Sequence, residues 1–138
     1  MRVYLDSCVV IYLIEGAADI RERISRRLIL PGDARPTVVF TDLSRMECRV
    51  KPLAARNAAT LADYDDFFET PGFVKMALDT AIFDLATELR GRHALKTPDA
   101  IHLAAAIASG CVELWSEDRR LAQAADPRIN IVTIDQLV

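Results

Sequence analysis

Short apolar segments alternate with helical patterns along the chain. Runs rich in β-branched residues, such as TVVF, are typical of strands, and short apolar runs such as RVYL indicate buried strands. Together these patterns predict strands at residues 2–5, 37–40, 73–78, 111–116 and 129–134. No low-complexity segment or long linker interrupts the alternation.

The segments between the predicted strands carry the spacing of amphipathic helices. The clearest is the set Ile82, Leu85, Ala86 and Leu89, which follows the i, i+3, i+4, i+7 pattern of a buried helix face. The predicted helices are residues 7–15, 19–30, 45–50, 57–68, 79–90, 97–109 and 119–125. Strands that alternate with helices imply βαβ units, so we expect an α/β fold with a mainly parallel sheet covered on both faces.

Length and composition predict one globular domain over residues 1–138. A chain of 138 residues with 51% hydrophobic content can bury a core but is too short for two ordinary domains. The N-terminal segment MRVYLDS lacks the layout of a signal peptide, and no apolar run reaches the roughly 18 residues of a membrane span. We therefore expect an intracellular, cytoplasmic protein.

The cysteines and the net charge narrow the function further. Cys8, Cys48 and Cys111 are odd in number and form no CxxC pair, which favours free thiols over disulfides or zinc. A net charge of −3 and a pI near 5.4 argue against bulk positive charge as a means of coating nucleic acid. Any nucleic-acid contact must therefore be local.

Four acidic residues fall where predicted strands end or helices begin. Asp6 follows the first strand, Glu47 lies soon after the second, and Asp118 follows the segment CVELWS. Asp99 opens the helix that Thr97-Pro98 is expected to start, with threonine as its N-cap. Because ligands of open parallel sheets bind beyond the carboxyl ends of the strands, we expect these four carboxylates to converge.

Each acid also has an explanation as a helix-terminus residue, which the sequence leaves open. Asp6 would cap the first helix, and Glu47 stands at capping-box distance from Ser44. Asp99 would complement a helix dipole, and Asp118 would begin the helix that follows it.

Convergence would make these carboxylates repel one another. Two unit charges about 4 Å apart cost roughly 1 kcal/mol in water and about 4 kcal/mol at an effective dielectric of 20. A helix-dipole contact returns only about 0.3–1 kcal/mol. A bound cation would relieve the repulsion, and oxygen-only ligands suit Mg²⁺ or Mn²⁺.

Longer segments around these acids carry a family resemblance. They are VYLDSCVVIYLIEG, VVFTDLSRMECRVKPL, LKTPDAIHLAAAI and LWSEDRRL. In order and spacing they resemble the signature blocks of PIN-domain nucleases, most of all the VapC toxin branch, and TPDAIHLAAA is the most specific of them. The resemblance covers essentially the whole chain and implies a PIN-like three-layer α/β/α domain.

The resemblance also implies a set of site residues. The catalytic quartet would be Asp6, Glu47, Asp99 and Asp118, with Asp6, Asp99 and Asp118 as metal ligands and Ser7 and Ser116 as supporting hydroxyls. The chain departs from the family pattern at Cys8, where a small or amide residue is common, and at Glu117, where asparagine is common. In a continuing strand Ser116 and Asp118 share one side and Glu117 points away, which favours Asp118 as the fourth acid.

The two histidines stay outside the predicted site. His102 lies one helical turn after Asp99 in an Ala-rich run, where a lone histidine is usually a packed or partly exposed residue. Metal-activated water needs no histidine base. His93 stands near a helix end beside Arg90 and Arg92, as a favourable cation or a solvated side chain.

The function implied by the resemblance is a Mg²⁺- or Mn²⁺-dependent endoribonuclease toxin that cuts a narrow set of RNAs, commonly tRNA or ribosomal RNA. It also implies a homodimer and a VapB-like antitoxin whose C-terminal segment occupies a groove and the active site. An apolar groove could be lined by Tyr12, Leu13, Ile14, Phe67 and Phe68, which core packing explains equally well.

Basic residues near the acids are the candidate RNA contacts. They are Arg45, Arg49, Lys51, Lys96, Arg119 and Arg120. We expect at least two of them to lie beside the acidic site, and the alternative for each is an ordinary solvated helix face.

Two functions of other classes remain open at this point. A phosphatase or dehalogenase would use Asp6 as a covalent nucleophile, but it would want a second acid two residues later, where Cys8 stands. A catalytically silent PIN-like module would act only by binding its partner.

Overall fold

The computed structural model describes residues 1–124 and 126–137, which build a five-stranded sheet between two layers of helices. The strands are β1 (Arg2–Leu5), β2 (Thr37–Phe40), β3 (Val74–Lys75), β4 (Glu113–Trp115) and β5 (Asn130–Val132). Their order across the sheet is β3-β2-β1-β4-β5, and every neighbouring pair is parallel. The predicted α/β fold with a three-layer α/β/α arrangement is confirmed.

Seven helices occur among the described residues. They are α1 (Ser7–Glu15), α2 (Ala18–Leu28), α3 (Asp42–Ala54), α4 (Ala58–Phe68), α5 (Thr80–Arg92), α6 (Thr97–Ala108) and α7 (Arg119–Gln123), with 3₁₀ turns at Gly32–Ala34 and Ile134–Gln136. The helix predicted over residues 119–125 is observed through Gln123, while Ala125 lies outside the described residues, as does Val138 at the end of the predicted domain.

Alternate side chains of the strands enter two separate cores because successive residues of a strand point to opposite faces of the sheet. Val3, Leu5 and Trp115 pack with α1–α4, whereas Tyr4 and Leu114 pack with α5–α7. All five side chains are fully buried. Tyr4 therefore brings a hydroxyl into the layer that contains α5, α6 and α7.

The strands away from the sheet centre are shorter than their apolar runs predict. β3 keeps two residues of the predicted 73–78 because it is an edge strand, paired on one side only, to β2. β5 ends at Val132, where Thr133 caps the 3₁₀ turn Ile134–Gln136. α3 runs past the predicted end at Val50 to Ala54 and includes Pro52, which lacks the backbone N–H that other residues inside a helix donate.

None of the described helices combines the length and the apolar character that crossing a membrane requires.

Candidate active site

The candidate site lies where β1 and β4, the two adjacent strands at the sheet centre, end. From β1 the chain passes to α1 on one face, and from β4 it passes to α7 on the other. A crevice opens at such a point in parallel sheets, and side chains from both strand ends line it. Ser116, directly after β4, donates to Asp6 Oδ2, directly after β1, at 2.7 Å.

Asp6 is both a helix cap and a site residue. Its Oδ1 accepts the backbone N–H of Ser7 at 2.8 Å, which caps α1 as one of the sequence interpretations predicts. Its Oδ2 accepts the Ser116 hydroxyl and, at 3.5 Å, the Cys8 thiol. Burial and the charge of Asp6 raise the pKa of Cys8 to about 12, so the thiol keeps the proton it donates. The Asp6 side chain is thus locked in one orientation.

Glu47 reaches the same place from α3. The alternative in which Glu47 completes a capping box with Ser44 is wrong, because α3 begins one turn earlier, directly after β2. Thr41 is its N-cap and Ser44 closes the box. Glu47 is thereby free to enter the site, where its Oε1 accepts the Ser7 hydroxyl at 2.6 Å and His102 Nε2 at 2.5 Å. Burial alone would raise the pKa of Glu47, but the hydrogen bonds from His102 and Ser7 hold it below its ordinary value.

His102 is the site residue that the sequence interpretation missed. It is packed in α6, as expected for an Ala-rich helix, yet both of its ring nitrogens have polar partners. Nε2 lies 2.5 Å from Glu47 Oε1 and 3.7 Å from Asp6 Oδ1, and Nδ1 lies 2.6 Å from the Tyr4 hydroxyl. The signal that could have found it is its position three residues after Asp99, which places both on one face of α6.

Tyr4 forms a buried hydrogen bond with His102. Its hydroxyl lies 3.2 Å from both Thr41 Oγ1 and Ser44 Oγ, the two residues that cap α3. Burial raises the pKa of Tyr4 well above its usual range, so the hydroxyl stays protonated. A continuous polar chain therefore runs from the start of α3 through Tyr4 and His102 to Glu47.

Asp99 interacts with the other acids of the site through their charges. The N-cap of α6 is Lys96 rather than the predicted Thr97, since Thr97 already belongs to the helix, and no side chain caps this end. Asp99 stands in the first turn, where burial and the negative charges of Asp118 and Asp6 raise its pKa to about 6. This carboxyl is therefore close enough to the others to be disfavoured by their charges.

Asp118 stands at the N-cap of α7. Its Oδ1 accepts the N–H of Arg120 at 2.8 Å, and its own N–H donates to Ser116 Oγ at 3.0 Å. Glu117 turns to the other side and accepts the N–H of Ile134. Among these two neighbouring acids, Asp118 is the one on the side of Asp99, since its charge raises the pKa of Asp99.

A cation fits part of this arrangement. Asp6, Glu47 and His102 each offer one ligand atom, and these atoms lie within 4.8 Å of one another. Asp99 and Asp118 stand outside this group, so it shares only Asp6 with the predicted ligand set of Asp6, Asp99 and Asp118. Two carboxylates and one imidazole are a donor set suited to a divalent ion.

Four of the six candidate RNA contacts divide into two groups. Arg45 and Arg49 lie two residues either side of Glu47, about 200° around α3, and form ion pairs with Asp42 at 3.1 Å and Asp65 at 2.9 Å. They face away from the carboxylate cluster.

Lys96 and Arg119 are exposed and stand at the helix N-termini that carry Asp99 and Asp118. Contact of any of the basic residues with RNA stays a prediction.

A cavity of about 440 Å³ opens between α1, α2 and α4, and its apolar lining includes Leu13, Ile14 and Phe67. Phe68 does not line it, because this side chain is buried in the core against Phe40. Tyr12 is 39% exposed.

Comparison with known proteins identifies a matching family profile and solved structures with a similar fold. The sequence profile described as PIN domain matches residues 3–127. A chain in a toxin-antitoxin complex from Klebsiella pneumoniae is similar in structure, with 21% identity over 96% of this chain and 97% of that one and a TM-score of 0.71. No curated protein sequence matches the chain.

Two further solved structures are similar. Mycobacterium tuberculosis VapC20, described as a sarcin-ricin loop cleaving toxin, gives 12% identity over 93% of this chain and 98% of that one, with a TM-score of 0.72. A chain of FitAcB from Neisseria gonorrhoeae gives 14% identity over 98% and 99%, with a TM-score of 0.71. At these identities the likeness shows a shared fold.

Proposed function

Because the chain belongs to the PIN-domain family, we propose that it is a VapC-type toxin, a metal-dependent endoribonuclease. Its catalytic acids are Asp6, Glu47, Asp99 and Asp118. The substrate class is RNA, with tRNA or ribosomal RNA as the expected targets. Family membership removes the support for a phosphatase or dehalogenase that would use Asp6 as a nucleophile.

The observation that carries this proposal is a cluster of carboxylates from four distant segments at one sheet edge. Burial and the negative charges of Asp118, Asp6 and Glu47 raise the pKa of Asp99, which supports the proximity of the four carboxyls. Acids that served only as helix caps would gain nothing from such proximity, since each added charge opposes the others. A site for a divalent cation is the chemical use that explains it.

The residues of the chain then have separate tasks. Ser7 and Ser116 hold the carboxylates of Glu47 and Asp6 through their hydroxyls, so that both face the cation without rotating. A bound Mg²⁺ or Mn²⁺ would lower the pKa of a water molecule and neutralise charge at the scissile phosphate. Lys96 and Arg119 are the basic side chains that we assign to phosphates on either side of the cut.

The proposed partner is a VapB-like antitoxin, as in the toxin-antitoxin complexes among the structural relatives. The cavity lined by Leu13, Ile14 and Phe67 offers apolar surface to an antitoxin segment. In this proposal the toxin is a cytoplasmic homodimer.

The test is RNA cleavage by wild type and Asp6→Asn with Mn²⁺ or Mg²⁺ and total tRNA or ribosomal RNA. We expect the variant to lose at least about 10²–10³-fold in rate, the scale of one preorganised electrostatic group. Asp79→Asn is the matched control, because Asp79 caps α5 through its side chain, as Asp6 caps α1. Equal cleavage by wild type and Asp6→Asn would contradict the proposal, and antitoxin binding without any cleavage would favour the silent module.

A further inference from the structure

His102 is the one nitrogen donor in the candidate cation site among the described residues. Its side chain is 1% exposed, and Nε2 points between Glu47 Oε1 at 2.5 Å and Asp6 Oδ1 at 3.7 Å. An imidazole in an oxygen-rich site changes which ions the site prefers. Mg²⁺ favours oxygen ligands, whereas imidazole suits first-row transition ions.

The surroundings of the other ring nitrogen match those of a metal-bound histidine. Ligating histidines almost always bond their second nitrogen to an outer-shell group, which fixes the tautomer and the ring orientation. His102 Nδ1 lies 2.6 Å from the Tyr4 hydroxyl. A hydroxyl both accepts and donates, so Tyr4 can accept an N–H from Nδ1 and donate to Thr41 or Ser44. In this tautomer the proton that Nε2 donates to Glu47 in the metal-free site has left Nε2, and the Nε2 lone pair becomes available to an ion.

The distances around Nε2 leave room for a shared ion after a small adjustment. Two ligands bound at about 2.1 Å and at right angles lie about 3 Å apart. The observed separations of 2.5 Å to Glu47 and 3.7 Å to Asp6 bracket that value. Glu47 keeps the hydrogen bond from Ser7 when the one from His102 is lost, so its carboxylate stays in the site.

We propose that His102 Nε2 ligates the cation together with Asp6 and Glu47, so that the site binds Mn²⁺ and other first-row transition ions more tightly than Mg²⁺. This inference rests on the proposed function, because it concerns the cation of that same site. It adds a nitrogen ligand to a metal site for which the sequence predicts carboxylate ligands only.

The competing role for His102 is positioning, in which the ring only donates a hydrogen bond to Glu47. His102→Gln separates the two roles, because a glutamine amide can still donate to Glu47 but is a poor ligand for transition ions. His93→Gln is the control, since His93 is the only other histidine of the chain.

The experiment uses the full chain with Mn²⁺ as the probe. Pulsed electron paramagnetic resonance reports imidazole nitrogen bound to Mn²⁺, and calorimetry gives the affinities for Mn²⁺ and Mg²⁺. We expect nitrogen coupling in wild type and His93→Gln and its loss in His102→Gln. The Mn²⁺ affinity of His102→Gln should fall at least about 10-fold, as outer-shell changes alone cost that much, while its Mg²⁺ affinity changes less than about 3-fold.

Wild-type Mn²⁺ bound without nitrogen coupling would overturn the inference, and this measurement needs no variant to fold. An unchanged Mn²⁺-to-Mg²⁺ preference in folded His102→Gln, or no Mn²⁺ binding at all, would overturn it as well. The RNA cleavage assay decides the proposed function separately. If the protein cleaves RNA while its Mn²⁺ has oxygen ligands only, the proposed nuclease function holds and His102 is not a metal ligand.

Discussion

The two halves of the candidate site are built differently. The inner half, Asp6, Glu47 and His102, is held by hydrogen bonds from Ser7 and Ser116 and from the buried Tyr4 below it. The outer half, Asp99 and Asp118, stands at the N-termini of two helices.

The difference shows in the pKa of one carboxyl from each half, Glu47 and Asp99. Both Glu47 and Asp99 are partly buried, which by itself raises the pKa of a carboxyl. Hydrogen bonds from His102 and Ser7 reverse that effect for Glu47, whereas neighbouring negative charges add to it for Asp99. The inner half is thus organised before any cation binds, and the outer half carries repulsion that a cation would relieve.

The largest expected effect concerns the outer half with metal present. Without metal, Asp99→Asn should leave the free energy of unfolding unchanged or raise it, because it removes a charge that its neighbours disfavour. With Mn²⁺ at a hundredfold excess over its dissociation constant, wild type should gain about 2.7 kcal/mol, and the variant should lose most of that gain. Thermal unfolding with and without Mn²⁺ measures both.

The matched control for this variant is Asp19→Asn. Asp19 also stands in the first turn of a helix whose N-cap makes no side-chain bond. Loss of its favourable dipole contact should cost about 0.3–1 kcal/mol, independent of metal. If Asp99→Asn behaved like Asp19→Asn, Asp99 would be a helix-terminus residue and the two halves would not form one site.

A smaller effect is expected from the inner half. Without metal, Glu47→Gln should lower the free energy of unfolding, whereas Asp99→Asn should leave it unchanged or raise it. Glu47→Gln weakens two charge-assisted hydrogen bonds, from His102 and Ser7, to neutral ones. Because charge-assisted bonds are roughly twice as strong, we expect a loss of about 1–2 kcal/mol in the free energy of unfolding. Urea denaturation measures it, with the exposed Glu69→Gln as control, expected within about 0.5 kcal/mol of wild type. Stabilisation by Glu47→Gln would mean that the inner half is as strained as the outer one.

Much of the fold follows from the hydrophobic pattern. The central strands at residues 2–5 and 37–40 have the predicted bounds. Each carries three consecutive buried residues, the short apolar run typical of a parallel strand covered on both faces. Strand ends near the edge were harder to predict. The apolar run at 73–78 pairs over two residues only, since an edge strand has one neighbour.

The site was predictable to the extent that it depends on strand ends. Asp6 lies in the site for that reason, since it directly follows β1. The sequence did not identify His102 as a site residue, because its hydrogen-bond partners, Tyr4 and Glu47, lie 98 and 55 residues away along the chain. The helix cap at Thr41 decides where Glu47 points, and a capping box three residues later looked equally good by spacing.

The pH dependence of metal-free stability separates the two halves most directly. The pKa of Asp99 is raised from 3.8 to about 6, so the folded state binds its proton more tightly than the unfolded state. Its contribution to stability is complete below about pH 4 and is lost as the pH rises through 6. The pKa of Glu47 is lowered from 4.5, so its contribution is present above that value and is lost as the pH falls. Urea denaturation between about pH 3.5 and 7.5 should therefore show wild type losing stability relative to Asp99→Asn above pH 4, and relative to Glu47→Gln below pH 5. If the difference between wild type and Asp99→Asn stayed flat from about pH 4 to 7, the charges of the outer half would not interact with those of the inner half.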